Sequence, residues 1–370
     1  MKIKLGVLTS SRADYGIYKP LLVKLSKDQR FDLVIIVFGM HLHSHHGTTI
    51  NAILKDNLGK IVRVEGMPKK DTPLEISKGY GQLITNFAKF WNENKFDNVL
   101  ALGDRFEMSA AVQAGIPFRL LFSHLHGGET TLGAIDNIYR HQITLASKIH
   151  FVATHKFVSK VEEITGSAND IYDVGALSID GIETMNLPSW ADVRKEFQIP
   201  VGKFILVTFH PETVAYEKNR IYCKEAFDAL EMLCKKFHVV ITLANADTLG
   251  SLYRDAAISL KAKYPQKISL VYSFGKENYF AAMKASEMLL GNTSSGILEA
   301  ASFQKYAINV GSRQEGRMRS KNVIDVPFDK EEIIKSTLEV AKGNVFLGKN
   351  EYYKENTANN IIEILANERF

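Results

Sequence analysis

The chain has 370 residues, of which 45% are hydrophobic and 24% are charged, and its net charge is +5 at pH 7. This length exceeds what one hydrophobic core usually serves, so it predicts two domains, and the composition is that of a soluble globular protein. The chain contains neither a long basic block nor an apolar run of about 18 residues, so nucleic acid and membrane are not expected as partners.

Apolar runs of strand length alternate with helical patterns along the whole chain. The strands predicted in the first half are KIKLGVLTS, FDLVIIVFG, DNVLALGD, FRLLFSHL, IHFVAT and DIYDVG. Those predicted in the second half are FILVTFH, HVVITLA, ISLVYS, EMLLGN and KYAINVG. The predicted helices are YKPLLVKLSKD, PLEISKGYGQLITNFAKFWNEN, IYRHQITLASK, CKEAFDALEMLCKKF, ENYFAAMKAS and SGILEAASF. Strand runs that are apolar throughout indicate buried parallel sheets, so the predicted fold class is α/β with two doubly wound, Rossmann-like domains.

The domain change is predicted between Ser178 and Lys203, where the periodicity lapses and prolines appear. The predicted domains are residues 1–180 and 181–350. The helical pattern within residues 351–370 is expected to pack back on the first domain.

The first apolar run enters a loop at once, which predicts a β-strand and not a signal peptide. Cys223 and Cys234 lie on one predicted helix. A structural disulfide between them is not expected, and this use of cysteine fits a reducing cytoplasm.

In doubly wound sheets, ligands bind beyond the carboxyl ends of the strands. The loops at these ends carry the unusual chemistry of the chain. They are TSSRADYG, GMHLHSHHG, GDRFE and HLHGGE in the first half, and FHPET, ANADT, GNTSSG and GSRQEGR in the second. A cleft between the two domains is expected to gather them.

Several of these loops suit an anion. Thr293 and Ser294 lie in a small-residue turn that opens a predicted helix, and they fit either an anion site or a plain helix cap. Glu299, one turn further on, is placed to accept ribose hydroxyls, and Arg313 and Arg12 offer guanidinium groups. Neither GxGxxG nor GxxxxGK[ST] occurs, so the expected anion is a nucleotide diphosphate, and no cofactor is expected.

Carboxylates and histidines at the strand ends are the candidates for proton transfer, which needs two groups around one substrate. They are Asp104, Glu129, Asp136 and Glu212, with His126 and His210. Two plain alternatives stay open here: Asp104 in an ion pair with its neighbour Arg105, and His210 as a buried histidine at a strand end.

The histidine-rich run HLHSHH, residues 41–46, raises the question of a metal site. Zinc sites usually add a further cysteine, histidine or carboxylate at fixed spacing, and neither CxxC nor HExxH occurs. A substrate contact or a surface loop is favoured, and no metal is predicted.

Seven motifs occur in order across residues 9–325: SRADYG, GDRFE, HLHGGE…AID…RH, FHPET, NADT, GNTSSG…E and GSRQEGR. In this pattern the chain resembles the hydrolysing UDP-N-acetylglucosamine 2-epimerases of bacterial sialic acid synthesis. It also resembles their relatives that use UDP-N,N'-diacetylbacillosamine on the legionaminic acid route. The resemblance implies the GT-B architecture, two Rossmann-like domains with UDP in the cleft.

The resemblance implies that the C2 proton is removed, UDP leaves C1, and water adds to the 2-acetamidoglycal with inversion at C2. It assigns acid and base positions to Asp104 and Asp136, puts Glu129 close by, and places His210 near the diphosphate. The UDP-binding positions that it implies are Arg12, Arg105, Asn245, Thr293, Ser294, Glu299 and Arg313. Relatives are homodimers or homotetramers, so a homo-oligomer is expected.

One position departs from the family pattern, because many relatives carry glutamate where this chain has His126. The departure leaves open whether His126 or Glu129 serves as the base. The sequence also leaves open the sugar at C4, feedback regulation, and three rival functions: a GT-B glycosyltransferase, a non-hydrolysing 2-epimerase and a non-catalytic UDP-sugar-binding regulator.

Overall fold

A computed structural model describes residues 2–42, 49–68, 72–130, 132, 135–212, 215–243, 250–343 and 345–368. The strands are Ile3–Thr9 (β1), Phe31–Phe38 (β2), Lys60–Val64 (β3), Asn98–Leu102 (β4), Phe122–Leu125 (β5), Ile149–Val152 (β6), Ile171–Asp173 (β7), Phe204–Thr208 (β8), His238–Thr242 (β9), Ile268–Val271 (β10), Leu289–Gly291 (β11), Ala307–Val310 (β12) and Val323–Val326 (β13).

The α-helices follow the strands in alternation. They are Arg12–Leu25 (α1), Ile50–Asp56 (α2), Pro73–Glu93 (α3), Phe106–Gly115 (α4), Asp136–Ala146 (α5), His155–Thr165 (α6), Trp190–Glu196 (α7), Asn219–Leu233 (α8), Gly250–Lys263 (α9), Lys276–Ala285 (α10), Ser295–Leu298 (α11), Lys330–Val340 (α12) and Thr357–Asn367 (α13). None of the helices in the described part of the chain is both long and apolar enough to cross a membrane.

The chain forms two compact units. Unit 1 comprises residues 1–130, 136–181 and 352–370, and unit 2 comprises residues 131–135 and 182–351. The helix α13 therefore belongs to unit 1, where Ile361 and Leu365 lie in the same buried cluster as Leu21 of α1. The Thr357 hydroxyl, at the start of α13, donates to the Val174 carbonyl at 2.7 Å.

The sheet of unit 1 has seven strands in the order β3-β2-β1-β4-β5-β6-β7, and all neighbouring strands are parallel. Helices cover both of its faces, and two separate apolar clusters pack there. The strand order reverses between β1 and β4, and in such sheets the carboxyl edge at that reversal is where ligands bind. The loops after Thr9 and Leu102 lie at this point.

The sheet of unit 2 has six parallel strands in the order β10-β9-β8-β11-β12-β13. Its order reverses between β8 and β11, whose register pairs Thr208 with Gly291. The loops after these two residues therefore occupy the expected ligand position of the second sheet.

The predicted α/β class with two doubly wound domains is confirmed. Two strands escaped prediction, β3 and β13, and each is a short strand at the edge of its sheet. Neither forms a fully buried apolar run, because β3 carries Lys60 and Arg63 and β13 carries Asp325. A search for fully apolar runs therefore detects buried central strands but misses edge strands that carry charged residues.

The predicted helix SGILEAASF is shorter than expected. Only Ser295–Leu298 is α-helical, and Ala300–Phe303 is a separate 3₁₀ turn, with Glu299 at the junction. A single α-helical turn has a much smaller dipole than a full helix. The GNTSSG loop must therefore rely on its individual N–H and hydroxyl groups, and not on a helix end, for any anion contact.

Candidate active site

The loop after β1 is organised by Asp14. This buried carboxylate accepts hydrogen bonds from the N–H groups of Ser10 at 2.9 Å and Ser11 at 3.0 Å, and from both serine hydroxyls. Ser11 caps α1 in return, accepting the Asp14 N–H at 3.3 Å, which completes a capping box. The two serines therefore serve Asp14, and the exposed Arg12 at the first position of α1 is the group this loop offers to a ligand.

His41, the first residue of the HLHSHH run, is a buried structural histidine. Its Nε2 lies 2.9 Å from the Thr9 hydroxyl and its Nδ1 lies 2.9 Å from the Thr49 hydroxyl. Burial lowers its pKa to about 4, so the ring is neutral at pH 7. The other histidines of the run lie outside the described residues, and no metal-binding group of three ligands occurs within the described part of the chain.

Arg105 and Asp104 are neighbours that take different partners. Arg105 binds the fully buried carboxylate of Glu107, with Nη2 3.0 Å from Oε1, and Nη2 also lies 3.3 Å from the Met40 sulfur. Asp104 instead pairs with Arg140 of α5. The expected ion pair between Asp104 and Arg105 is therefore not needed to explain the position of either side chain, since each has a charged partner elsewhere.

Arg140 is the central cation of this edge. Its Nη2 binds Asp104 Oδ2, and its Nη1 donates to the His126 carbonyl at 2.7 Å. Nη1 also lies 3.6 Å from Glu129 Oε2. Arg140 is only 1% exposed, so these partners compensate for the burial of its charge.

His126 and Glu129 form a close pair, with Nδ1 2.6 Å from Glu129 Oε1. Glu129 is 1% exposed, and its two oxygens face His126 and Arg140. His126 has a φ of +64°, and its N–H donates to the Phe151 carbonyl at 3.0 Å. The pairing of Nδ1 with a carboxylate leaves Nε2 as the ring atom that can exchange a proton with a substrate.

His124 is a buried, neutral histidine that holds two of the neighbouring elements together. Its Nε2 lies 2.9 Å from the Gly103 carbonyl and its Nδ1 3.1 Å from the Thr144 hydroxyl, so it ties the loop before Asp104 to α5. Complete burial lowers its pKa to about 3. The ring is therefore a structural contact and not a proton donor near pH 7.

Asp136 is the first residue of α5 and is partly exposed. It precedes Arg140 by four residues, so the two side chains share a helix face. Thr144, four residues further along that face, contacts His124. Unit 1 therefore brings Asp104, His126, Glu129 and Asp136 to the carboxyl edge of one sheet, as predicted for loops at strand ends.

In unit 2, Asn292 links the ends of β8 and β11. Its side-chain oxygen accepts the His210 N–H at 2.7 Å, and its amide nitrogen donates to the His210 carbonyl at 2.8 Å. Gly291, just before it, has a φ of +140°, and a Cβ there would collide with the Thr208 carbonyl. The two hydrogen bonds to Asn292 hold His210 beside the GNTSSG loop. His210 is itself largely buried, which fits the alternative of a buried histidine at a strand end.

Glu212 is a loop anchor and not an exposed acid. Its Oε1 accepts the N–H groups of Ser312 at 2.6 Å and Arg313 at 3.1 Å, and its Oε2 accepts the Ser312 hydroxyl at 2.9 Å. The side chain is 1% exposed. The hypothesis of Glu212 as a proton-transfer group is therefore replaced by a structural role, since its carboxylate accepts three hydrogen bonds from the loop after β12.

The anchored loop leads to the nucleotide candidates of unit 2. Arg313 Nη1 lies 3.4 Å from the Asn292 carbonyl, which the buried Gln314 amide also reaches at 2.8 Å. Thr293 Oγ1 is 3.5 Å from the Ser295 N–H. The unit thus places His210, Thr293, Ser294, Glu299 and Arg313 around the carboxyl edge of one sheet. Asn245 lies outside the described residues.

Three residues of this arrangement were not singled out from the sequence: Arg140, Asn292 and Gln314. Asn292 and Gln314 stand inside quoted motifs, and Arg140 is the arginine of the RH pair. A signal existed for Arg140, because a charged residue four positions after Asp136 and four before Thr144 falls on the inner face of α5. A charged residue on the buried face of a helix needs hydrogen-bonding or oppositely charged partners inside the protein.

The sequence family described as "UDP-N-acetylglucosamine 2-epimerase" matches residues 23–366. "Polysialic acid biosynthesis protein P7" of Escherichia coli is 30% identical, covering 98% of this chain and 93% of its own. "UDP-N,N'-diacetylbacillosamine 2-epimerase (hydrolyzing)" of Legionella pneumophila is 32% identical, covering 87% and 85%. The solved UDP-GlcNAc 2-epimerase from Neisseria meningitidis, bound to UDP-GlcNAc, shares the fold at 18% identity, with a TM-score of 0.82 and coverage of 99% and 100%.

Proposed function

Because the chain belongs to the UDP-N-acetylglucosamine 2-epimerase family, we propose that it is a hydrolysing member. It converts UDP-N-acetylglucosamine to N-acetylmannosamine and UDP. The observation that carries this proposal is the group at the carboxyl edge of the unit 1 sheet, where the partly buried Asp104 and the buried His126–Glu129 pair share the Arg140 guanidinium.

The reaction has two stages that balance without a cofactor. In the first, a base takes the C2 proton, the C2–H electrons form the C1=C2 bond, and the C1–O bond breaks to release UDP. In the second, water supplies a hydroxyl to C1 and C2 receives a proton on the opposite face. Inversion therefore needs one proton acceptor and one proton donor on the two faces of the sugar.

His126 suits the role of acceptor. With Nδ1–H donated to the Glu129 carboxylate, Nε2 carries a lone pair and can take a proton. Glu129 then stabilises the imidazolium that forms, while Asp104 and Asp136 supply the further acid and base positions. We therefore propose His126 as the base, and its Nδ1 contact with Glu129 and the 1% exposure of Glu129 support this choice.

Departure of UDP requires cations and donors at the diphosphate. Arg313 is the best supported of these, because Glu212 holds its backbone N–H and fixes the loop that presents it. Thr293, Ser294 and His210 are proposed to contact the diphosphate, and Arg12 and Arg105 to add positive charge. Glu299, and Asn245 beyond the described residues, are proposed at the nucleoside.

The second candidate substrate is UDP-N,N'-diacetylbacillosamine, because the Legionella relative is named for it and is 32% identical. The same elimination and hydration would apply, since the two sugars differ away from C1 and C2. Turnover of the two UDP-sugars side by side, at equal enzyme concentration, decides between them by kcat/KM.

The decisive experiment is incubation with each UDP-sugar in deuterated water, followed by mass spectrometry of the free sugar. The expected result is UDP and a 2-epimerised sugar with one deuterium at C2, because the abstracted proton is replaced from solvent. Unlabelled product would contradict the elimination. Transfer to an added sugar acceptor would favour a glycosyltransferase, reversible formation of a UDP-linked epimer would favour a non-hydrolysing epimerase, and binding without turnover would favour a regulator.

We also propose that the protein is a cytoplasmic homo-oligomer. Two free, buried thiols, Cys223 and Cys234, support a reducing compartment. Light scattering coupled to size exclusion would give the oligomeric state, with a dimer or tetramer expected.

A further inference from the structure

The Arg140 guanidinium contacts both proton-transfer loops of unit 1. One of its nitrogens binds Asp104, from the loop after β4, and the other donates to the His126 carbonyl, from the loop after β5, at 2.7 Å. Glu129 Oε2 lies 3.6 Å from the same Nη1. The fork of one side chain therefore spans both loops.

Because Arg140 is buried, its positive charge depends on close contacts with other groups of the protein. A buried guanidinium needs charged partners, and a flexible ammonium group could not reach both loops in the same fixed geometry. Arg140 Nε has no hydrogen-bond partner among the described residues, so its stabilisation comes from the two terminal nitrogens. These two nitrogens are the ones that point at candidate proton-transfer groups.

We propose that Arg140 is a positioning residue of the active site, which sets Asp104 and the His126–Glu129 pair at a fixed mutual spacing. This inference rests on the proposed epimerase reaction and deepens it. By engaging Oε2 of Glu129, Arg140 leaves Oε1 to orient His126, so the glutamate serves the histidine. By binding Asp104, it fixes the second group on the same edge of the sheet. Neither action requires Arg140 to touch the substrate.

The alternative is that Arg140 only stabilises the fold. Unit 1 contains a suitable comparison, because Arg30 also faces two carboxylates, Asp28 at 2.7 Å and Glu363 at 2.6 Å, but on an exposed surface. Loss of an ion pair that only stabilises the fold lowers the melting temperature. Loss of a positioning cation lowers kcat in protein that remains folded.

The test uses the full-length enzyme with Arg140→Lys, which keeps the charge but loses the fork, and with Arg140→Ala. In Arg140→Lys, kcat is expected to fall about 100-fold or more, as for misplacement of a reacting group by about 1 Å, while KM and the Kd for UDP change less than about threefold. In Arg140→Ala, guanidinium chloride at millimolar concentration is expected to restore part of kcat. Arg30→Lys and Arg30→Ala serve as controls and are expected to keep the wild-type kcat, with no response to guanidinium.

The outcomes separate this inference from the proposed function. If the wild type releases no UDP from either sugar, the proposed function fails. If the wild type is active and folded Arg140→Lys keeps kcat within threefold, the positioning role fails alone. An Arg140→Lys protein that circular dichroism shows to be unfolded at the assay temperature would assign Arg140 to fold stability and would also overturn the inference.

Discussion

Glu212 Oε1 accepts the Ser312 N–H at 2.6 Å across 100 residues of sequence. The contact joins the loop after β8 to the loop after β12 within unit 2. Both loops carry proposed UDP-binding residues, His210 and Arg313. The carboxylate therefore acts on the nucleotide site through backbone geometry and not by contact with the reacting sugar.

Glu212→Gln tests this role. The amide retains one acceptor but places an NH2 group where donors point, so the loop that carries Arg313 is expected to loosen. UDP affinity should fall about tenfold, equivalent to about 1.4 kcal/mol. Isothermal titration calorimetry with UDP measures the change. Glu217→Gln, at an exposed position of the same unit, is the control, and unchanged affinity in Glu212→Gln would contradict the anchor role.

The His126–Glu129 pair predicts matched losses of activity. His126→Asn removes the proposed base, and Glu129→Gln removes the carboxylate that orients it, so each should lower kcat about 100-fold or more while UDP binding persists. Initial rates of UDP release measure kcat. Glu163→Gln, a surface variant of α6, should keep the wild-type rate. Wild-type turnover by His126→Asn would exclude the histidine as the base.

Asp104→Asn and Asp136→Asn are expected to abolish turnover, because both aspartates are assigned to proton transfer. UDP should still bind, since the nucleotide residues of unit 2 are unchanged. Rates and calorimetry on the same preparations measure the two properties. The control is Asp228→Asn on the exposed side of α8, and near-normal rates in either active-site variant would remove that aspartate from the mechanism.

Acid should destabilise unit 1 through its buried histidines. Burial lowers the pKa of His124 to about 3 from its ordinary value of 6.5. The folded state keeps the ring neutral while the unfolded chain binds a proton, so stability present above pH 6.5 is lost as the pH falls from 6.5 towards 3. One such histidine contributes at most about 1.4 kcal/mol per pH unit.

Urea unfolding at pH 7.5, 6.0 and 5.0 measures this slope, read on the transition of unit 1. His124→Gln keeps hydrogen-bonding atoms but cannot titrate, so its free energy of unfolding should depend less on pH than that of the wild type. Equal slopes in the two proteins would show that His124 is not held neutral in the folded state.

Gly291 offers a test of backbone crowding. An alanine Cβ there would collide with the Thr208 carbonyl, whereas Gly202, with nearly the same φ of +139°, has open space around it. Gly202→Ala is expected to lose about 1 kcal/mol through backbone strain alone. Gly291→Ala should lose about 2 kcal/mol more of its free energy of unfolding, measured with urea, because the added methyl group has no space. Similar losses in the two variants would contradict the collision.

The family and the fold class were both predictable from sequence and are confirmed. Buried parallel strands are apolar throughout, and the strand-end rule placed the polar motifs at one edge of each sheet. The length of the helix after GNTSSG was not predictable, because its apolar spacing fits both a continuous helix and the α-helical turn followed by a 3₁₀ turn that occurs.

The sequence also could not predict which charged side chains form ion pairs with each other. Asp104 adjoins Arg105, yet it binds Arg140, which is 36 residues away, while Arg105 binds Glu107. Glu212 carries the carboxyl group that acid–base chemistry needs, yet its contacts hold a loop. Residue type and strand-end position narrow the candidates, but three-dimensional packing decides which charge meets which.

The position of α13 has a consequence for protein synthesis. Ile361 and Leu365 complete the apolar cluster around α1, although they are translated after all of unit 2. While unit 2 emerges from the ribosome, α1 exposes the surface that α13 later covers. Unit 1 therefore acquires its full core last, and a nascent chain stopped before residue 352 carries an uncovered apolar face prone to aggregation.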